Sequence, residues 1–275
     1  MSLTKKIRSA YYNLFDLAKL EKKAMSRQQK FNDLPIVSLT SVPKRISQIK
    51  PTLVSLLKQS VPPHEIQINL GQDFFSGIEI PDFFKGLEIV KIHWTKKDLG
   101  PATKYVPTLE RYKNTNQLII IVDDDMYYSP HLIEDLVEAD RKADGKKVFC
   151  INGFKVPQDL LSASRPTDKA IKSGSQKVGV IEGCGGYTLR PNFVGAENLR
   201  DLAGAPLRAH FDDDIWLSGH LSRRQIEKIQ ISTGKRKSLV NTIESAIDGD
   251  RAQLQTDVMN HFKADWKLEE IHQLD

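Results

Sequence analysis

The strongest chemical signal in this chain of 275 residues is a run of carboxylates placed directly after an apolar segment. Leu118-Ile119-Ile120-Ile121-Val122 is its longest uninterrupted apolar run, and Asp123-Asp124-Asp125 follows at once. The apolar run predicts a buried central strand. The acids then emerge at its C-terminal edge, where open α/β sheets place their ligands. In extended backbone Asp123 and Asp125 project to one side, about 7 Å apart, and Asp124 to the other. Carboxylates this close repel one another, and partial burial worsens the repulsion. A divalent cation shared with substrate phosphates removes that penalty, and an all-oxygen donor set favours Mg2+ or Mn2+ over zinc. A solvated acidic turn that caps the helix beginning near Pro130 is the other reading these residues leave open.

Four further segments carry chemistry-bearing side chains. Thr40-Ser41-Val42 ends the first predicted strand, with Arg45 just beyond. Hydroxyls and free backbone groups at a strand end can read the edge of a nucleobase, and an arginine there can pair with a phosphate. Asp98 to Tyr105 precedes a helix; Gly100 and Pro101 shape the turn, Thr103 is a candidate cap, and Lys104 is placed to reach a diphosphate or a sugar. A solvated lysine at a helix start is the alternative for Lys104. Gly183, Gly185 and Gly186 surround Cys184 and precede Tyr187, and glycines let backbone approach a ligand closely or make a bulge. Asp212-Asp213-Asp214 opens a helical run, a placement that suits capping and the helix dipole. The two Asp-Asp-Asp runs have different flanks, so they are not an internal repeat.

The elements that must hold these groups alternate along the chain. Strands are predicted over residues 36–40, 65–70, 87–94, 118–122, 148–154 and 226–231. Helices are predicted over 46–59, 103–113, 130–143, 211–224 and 251–263, with Pro51 and Pro130 near helix starts as the first turn prefers. A Gly-rich strand segment follows residue 178. Strands separated by helices imply an α/β fold with a mostly parallel sheet covered on both faces. Lys155 to Val178 breaks the rhythm and reads as a long polar loop or excursion, and loops of that length are usually functional or mobile.

Composition narrows the class. At 40% hydrophobic and 27% charged residues the chain has an ordinary globular balance, which excludes disordered and fibrous readings. No apolar run approaches the roughly 20 residues of a membrane span, and no secretory leader opens the sequence. Cys150 and Cys184 lack metal-clip spacing and fit a reducing compartment as small core residues.

The charge is uneven. Residues 1–33 hold eight basic and three acidic groups, whereas the remainder holds 32 of each. The basic character therefore belongs to the N-terminal segment, which argues against a nucleic-acid-binding body. Leu3, Ile7, Ala10, Leu14 and Leu17 recur at helical spacing, so residues 1–33 are predicted to hold a basic amphipathic helix ahead of a domain over 34–275. Its apolar stripe suits its own domain, a second copy of the chain in a homodimer, or an anionic membrane surface, and a disordered tail is the remaining reading.

In this order, Ile36 to Arg45, Asp123-Asp124-Asp125, Gly183 to Arg190 and Phe211 to Trp216 resemble the GT-A family of nucleotide-sugar glycosyltransferases. The resemblance covers roughly residues 35–263. It implies a GT-A-like Rossmann-type fold that transfers a sugar, with UDP-sugar the default donor, to an acceptor hydroxyl with Mn2+ or Mg2+. It places base and ribose at Thr40, Ser41 and Val42, and a phosphate-facing cation at Arg45 or Lys104. Asp123 and Asp124 would face ribose, sugar or metal, and Asp125 the metal. Gly185, Gly186 and Tyr187 would lie under the donor sugar and acceptor. Asp213 or Asp214 would be the general base of an inverting member, with Asp212 as the cap. His261 would be a late metal ligand. Apart from the resemblance, Gly234-Lys235-Arg236-Lys237 is a basic loop that could close over the diphosphate, with a solvated charge run as the alternative.

A cytoplasmic enzyme of bacterial surface-glycan synthesis, peripheral at the inner membrane face, fits this picture. A sugar nucleotidyltransferase would show a Gly-rich loop after the first strand, and Thr40 to Arg45 contains no glycine. A haloacid-dehalogenase-like phosphatase would need Thr or Val where Tyr127 stands. A scaffold that binds nucleotide or carbohydrate without catalysis remains the non-enzymatic alternative.

Overall fold

The computed structural model describes residues 11–12, 14–166, 171, 173–232, 240–241 and 251–272. Its elements, in chain order, are α1 (Leu17–Gln28), β1 (Ile36–Thr40), α2 (Lys50–Leu57), β2 (Glu65–Gly71), β3 (Val90–Thr95), α3 (Val106–Arg111), β4 (Ile119–Ile121), β5 (Met126–Tyr127) and α4 (Leu132–Lys142). There follow β6 (Val148–Phe154), β7 (Val156–Pro157), β8 (Ser175–Lys177), β9 (Val180–Leu189), α5 (Ala196–Arg200), α6 (Asp213–Arg223), β10 (Lys228–Ile231), β11 (Val240–Asn241), α7 (Arg251–His261) and β12 (Ile271–His272).

β1, β2 and β4 are buried at nearly every position, which a strand tolerates only when helices cover both faces of its sheet. Eight strands form one sheet in the order β3-β2-β1-β4-β9-β6-β10-β8. β1 pairs in parallel with β2 and β4, β2 with β3, and β6 with β10, whereas β9 and β8 run against their neighbours. Side chains from α3, α5, α6 and α7 pack on one face, and those from α1, α2 and α4 on the other. This is the α/β, GT-A-like arrangement that the sequence implied. β5 pairs with β11 and β7 with β12 outside the main sheet.

Several elements are shorter than the apolar pattern suggests. Pairing in the fourth strand stops at Ile121, and Asp124 and Asp125 lie in a turn, so the three acids do not alternate along a strand. The helix predicted from Thr103 begins at Val106, after a single 3-10 turn over Ala102–Lys104, with Pro107 in its first turn. The one predicted from Ile46 begins at Lys50, after a 3-10 turn over Ile46–Gln48.

The N-terminal helix is offset from its predicted place. Leu3, Ile7 and Ala10 lie outside the described residues, Leu14 is 83% exposed, and the observed helix runs Leu17–Gln28. Asp16 caps it by accepting from the Lys19 amide at 3.1 Å. Its buried face docks on the body through Leu17 and Ala24 and through one carboxylate. Glu21 accepts from the amides of Glu88, Ile89 and Val90 at 2.8, 2.8 and 3.0 Å, which satisfies donors around the start of β3. Arg27 donates to the carbonyls of Leu57, at 2.9 Å, and Gln59, which the end of α2 leaves without helical partners.

Glu21→Ala should therefore strand three amides and cost about 2–3 kcal/mol in urea unfolding, with Glu21→Gln recovering part of the loss. Stability equal to the parent in the alanine variant would show that this docking contributes nothing.

Candidate active site

The chain runs β1, β2, β3 outward to one side of the sheet and returns to place β4 on the other side of β1. That reversal is a topological switch point, the place at the carboxyl ends of the strands where open α/β sheets form their ligand crevice. Two acidic segments and two cations meet at this point.

The first group joins the ends of β1 and β4. Ser41 Oγ donates to Asp124 Oδ2 at 2.5 Å, and Arg45 pairs with Asp124 and reaches Asp125 Oδ2 at 3.5 Å. Thr52, in the first turn of α2, directs its hydroxyl to the carbonyls of Asp124 and Met126, at 2.7 and 2.8 Å. The acidic turn is thus fixed by both backbone and side chains. Burial pushes the Asp124 carboxyl up to about 7 although Arg45 and Ser41 act against it. Burial and Asp123 raise Asp125 as well.

The second group is built around Lys104. Its side chain is 5% exposed, and its ammonium lies 2.9 Å from Asp123 Oδ1, 2.9 Å from Asp213 Oδ2 and 3.3 Å from Asp214 Oδ1. Burial opposes the charge, but three carboxylates outweigh it and hold the ammonium well above its ordinary range. Burial pushes Asp213 and Asp214 upward, with Lys104 opposing. The Gly183 amide donates to both oxygens of Asp214, at 3.2 and 3.1 Å. A Cβ at position 183 would overlap Lys104 Nζ and lie 2.6 Å from Asp123 Oδ1, so any larger residue would displace the ends of both side chains.

The lysine is positioned from below. Ser38 Oγ, inside β1, donates to the Lys104 carbonyl at 2.6 Å and lies 2.8 Å from the Thr108 hydroxyl; Asn69 donates to both hydroxyls at 3.0 Å. Tyr128 OH accepts from the Asp123 amide at 2.8 Å and stands 3.3 Å from the Gly183 carbonyl, which ties the acidic turn to β9.

The predicted site residues divide accordingly. Ser41, Arg45, Lys104, Asp123, Asp124, Asp125, Asp213 and Asp214 are brought together. Thr40 donates to the Asn69 carbonyl at 2.7 Å, and Val42 gives its carbonyl to the turn that carries Arg45, so both sit at the crevice rim. Lys104 is neither solvated nor turned to an open phosphate site, because three carboxylates engage it. Arg45 likewise pairs with acids. Asp212 occupies the position before α6 but makes no side-chain cap; its carboxylate pairs with Arg251 Nε at 3.0 Å.

Tyr187 is fully buried between β4 and β6, with its hydroxyl close enough to Lys104, Asp213 and Asp214 to feel their charges, so it lies beneath the acidic cluster and is not open to a ligand. Gly185 packs on Asn152 and Gly186 on Leu132, and it is Gly183 that borders the acids. His261 stands among Trp216, His220 and Phe262, near Arg223 and Asp265, and no aspartate of the site is among these neighbours. Gly234 to Lys237 lies outside the described residues.

Sequence reasoning passed over Asp73, which accepts from the Asp98 amide at 2.8 Å beside the end of β2. The rule that singled out Asp123, an acid just past a strand's C-terminal end, also fits Asp73 and Asp98. The excursion after residue 155 brings Arg165 over the Phe154 ring, 3.8 Å from its centroid, to pair with Glu182 next to Gly183.

The donor chemistry suits a hard dication. Asp123 and Asp125 side chains are 29% and 17% exposed, and Asp123 Oδ2 and Asp125 Oδ1 have no side-chain partner among the described residues. Two oxygens leave most coordination positions to phosphate and water, the usual Mg2+ arrangement. Among the described residues no group of three or more His, Cys, Asp or Glu side chains could hold a metal by itself.

No protein family and no curated protein matches the chain by sequence. Among solved structures, GalNAc-T7 with UDP, GalNAc and Mn2+ is 11% identical at a TM-score of 0.45, covering 72% of this chain and 41% of its own. The mannosyltransferase PcManGT from Pyrobaculum calidifontis, in complex with GDP-Man and Mn2+, is 12% identical at a TM-score of 0.47, covering 94% and 81%. An apo UDP-glucose pyrophosphorylase is 8% identical at 0.46, covering 83% and 97%. The likeness is one of fold alone. This chain spans less than half the length of the first.

Because the folded Asp124 carboxyl titrates near 7 instead of its ordinary 3.8, its protonated form stabilises the fold at low pH. That contribution is complete below about pH 4 and is lost as pH rises through about 7. In chelator-treated protein, Asp124→Asn should flatten this part of the stability profile, measured by urea unfolding at a series of pH values. An unchanged slope would contradict the burial of that charge.

Proposed function

We propose that the chain is a glycosyltransferase that moves a sugar from a nucleotide-diphosphate sugar, UDP-sugar by default, to an acceptor hydroxyl. The observation that carries this reading is the convergence on Lys104 of Asp123, from the end of a central strand, with Asp213 and Asp214, from the start of α6. A donor-side acid and an acceptor-side acid in one crevice are what sugar transfer requires.

Asp123 and Asp125 would hold a divalent cation, which when bound neutralises charge on the departing nucleoside diphosphate. Thr40 and the backbone of Val42 would line the side of the crevice suited to base and ribose, with the buried Ser41 behind them holding Asp124. Asp214 is the better placed base of the second acidic run: its side chain is 15% exposed, against 4% for Asp213. A carboxylate whose proton affinity burial has raised is the stronger acceptor once ionised. Asp213 then serves to hold Lys104, and the Tyr105 hydroxyl donates to its carbonyl at 3.2 Å.

A sugar nucleotidyltransferase is disfavoured by the β1 loop. Ser41 and Arg45 there close onto Asp124 and make no open phosphate cradle.

Thermal unfolding with UDP or GDP, each with Mn2+ or with chelator, tests the proposal. UDP should raise the midpoint only when Mn2+ is present, and Asp125→Asn should abolish that gain and lower transfer at least about 100-fold while the apo midpoint holds. Equal stabilisation in chelator, or full transfer by Asp125→Asn, would overturn the assignment. Nucleotide binding without transfer or donor hydrolysis would leave a non-catalytic scaffold.

A further inference from the structure

The chain's whole net charge of +5 lies in residues 1–33, and α1 sorts its part of that charge onto one side. At about 100° per residue, Lys19, Lys22, Lys23 and, just past the helix, Lys30 share the face opposite Leu17, Glu21 and Ala24. All four lysines are exposed, whereas Leu17, Glu21 and Ala24 are buried against the body. Glu21 is the only acid in the helix, and its carboxylate is spent on the amides of Glu88, Ile89 and Val90. The charged side chains on the outward face of α1 are therefore all basic.

Just ahead of α1 in the chain stand exposed apolar groups. Leu14 is 83% and Tyr11 56% exposed. Tyr11 packs edge-on to Phe15, and the Lys58 ammonium lies 3.7 Å from the centre of the Phe15 ring. Cations in a row beside protruding aliphatic and aromatic side chains match a lipid–water boundary, where ammoniums meet headgroup phosphates and apolar tips enter the acyl edge. A nucleic-acid surface would interleave stacking aromatics among the cations, and this lysine face holds none.

We propose that the outward face of α1, together with the exposed Tyr11 and Leu14 that precede the helix, docks the protein on an anionic lipid surface. The buried face holds the helix to the body, so docking would carry the crevice with it toward lipid-borne substrates.

Co-sedimentation of the full chain with phosphatidylcholine vesicles, with and without phosphatidylglycerol, tests this. Binding should require the anionic lipid and disappear at high salt. Replacing three exposed lysines, Lys19→Gln with Lys22→Gln and Lys23→Gln, should weaken it about 100-fold, roughly fivefold for each, with the thermal midpoint unchanged. Leu14→Ser should weaken it less and leave the salt dependence intact. No binding, equal binding to neutral vesicles, or a triple variant that binds like its parent would overturn the proposal. So would single-stranded RNA that binds as tightly per phosphate as the vesicles. The assay uses neither donor nor acceptor, so its outcome is independent of the transferase reading.

Discussion

Lys104 has three carboxylates around one buried ammonium, and the architecture of the crevice follows from that contact. Burying a lysine alone is prohibitive, as is burying Asp213 and Asp214 alone. Each is tolerable only because the other is present. The contact also spans the chain: Lys104 comes from the turn before α3, Asp123 from the end of β4, and the acids at 213 and 214 from the start of α6. Three segments remote in sequence are thereby fixed to one another at the sheet edge.

The surroundings are shaped to serve this contact. Gly183 leaves room for it, Ser38 and Thr108 hold the lysine's backbone, and Tyr128 ties the acidic turn to β9. Arg45 and Ser41 take up Asp124, so Asp123 and Asp125 are the acids of that run left with exposed oxygens. The division of labour among three consecutive aspartates comes from the turn they occupy, which points each to a different partner.

Much of this was legible from residue types. The apolar run before Asp123, the helical pattern after Asp213 and the glycines near 183 located the crevice, because burial and backbone freedom leave local signatures. The pairing of Lys104 did not, since a buried ion pair depends on which distant segments meet. The turn at Asp123 was missed because Val122 is as apolar as a strand residue, and periodicity cannot show where pairing stops. Family position put Tyr187 and His261 at the ligand, whereas the burial of Tyr187 beneath the acids and the place of His261 among aromatic rings are tertiary facts. Likewise the docking of α1 rests on a buried glutamate, Glu21, that an amphipathic pattern counts as polar and outward.

A double-mutant cycle on Lys104 and Asp214 bears most directly on this account. Unfolding free energies of Lys104→Met, Asp214→Asn and the double variant, in chelator, give the coupling between the two charges. The account predicts that each single change is severely destabilising and that the pair together costs at least about 2 kcal/mol less than their sum. Losses that simply add, to within about 0.5 kcal/mol, would mean that the ammonium and the carboxylate do not depend on one another, and the crevice would have to be held together by something else.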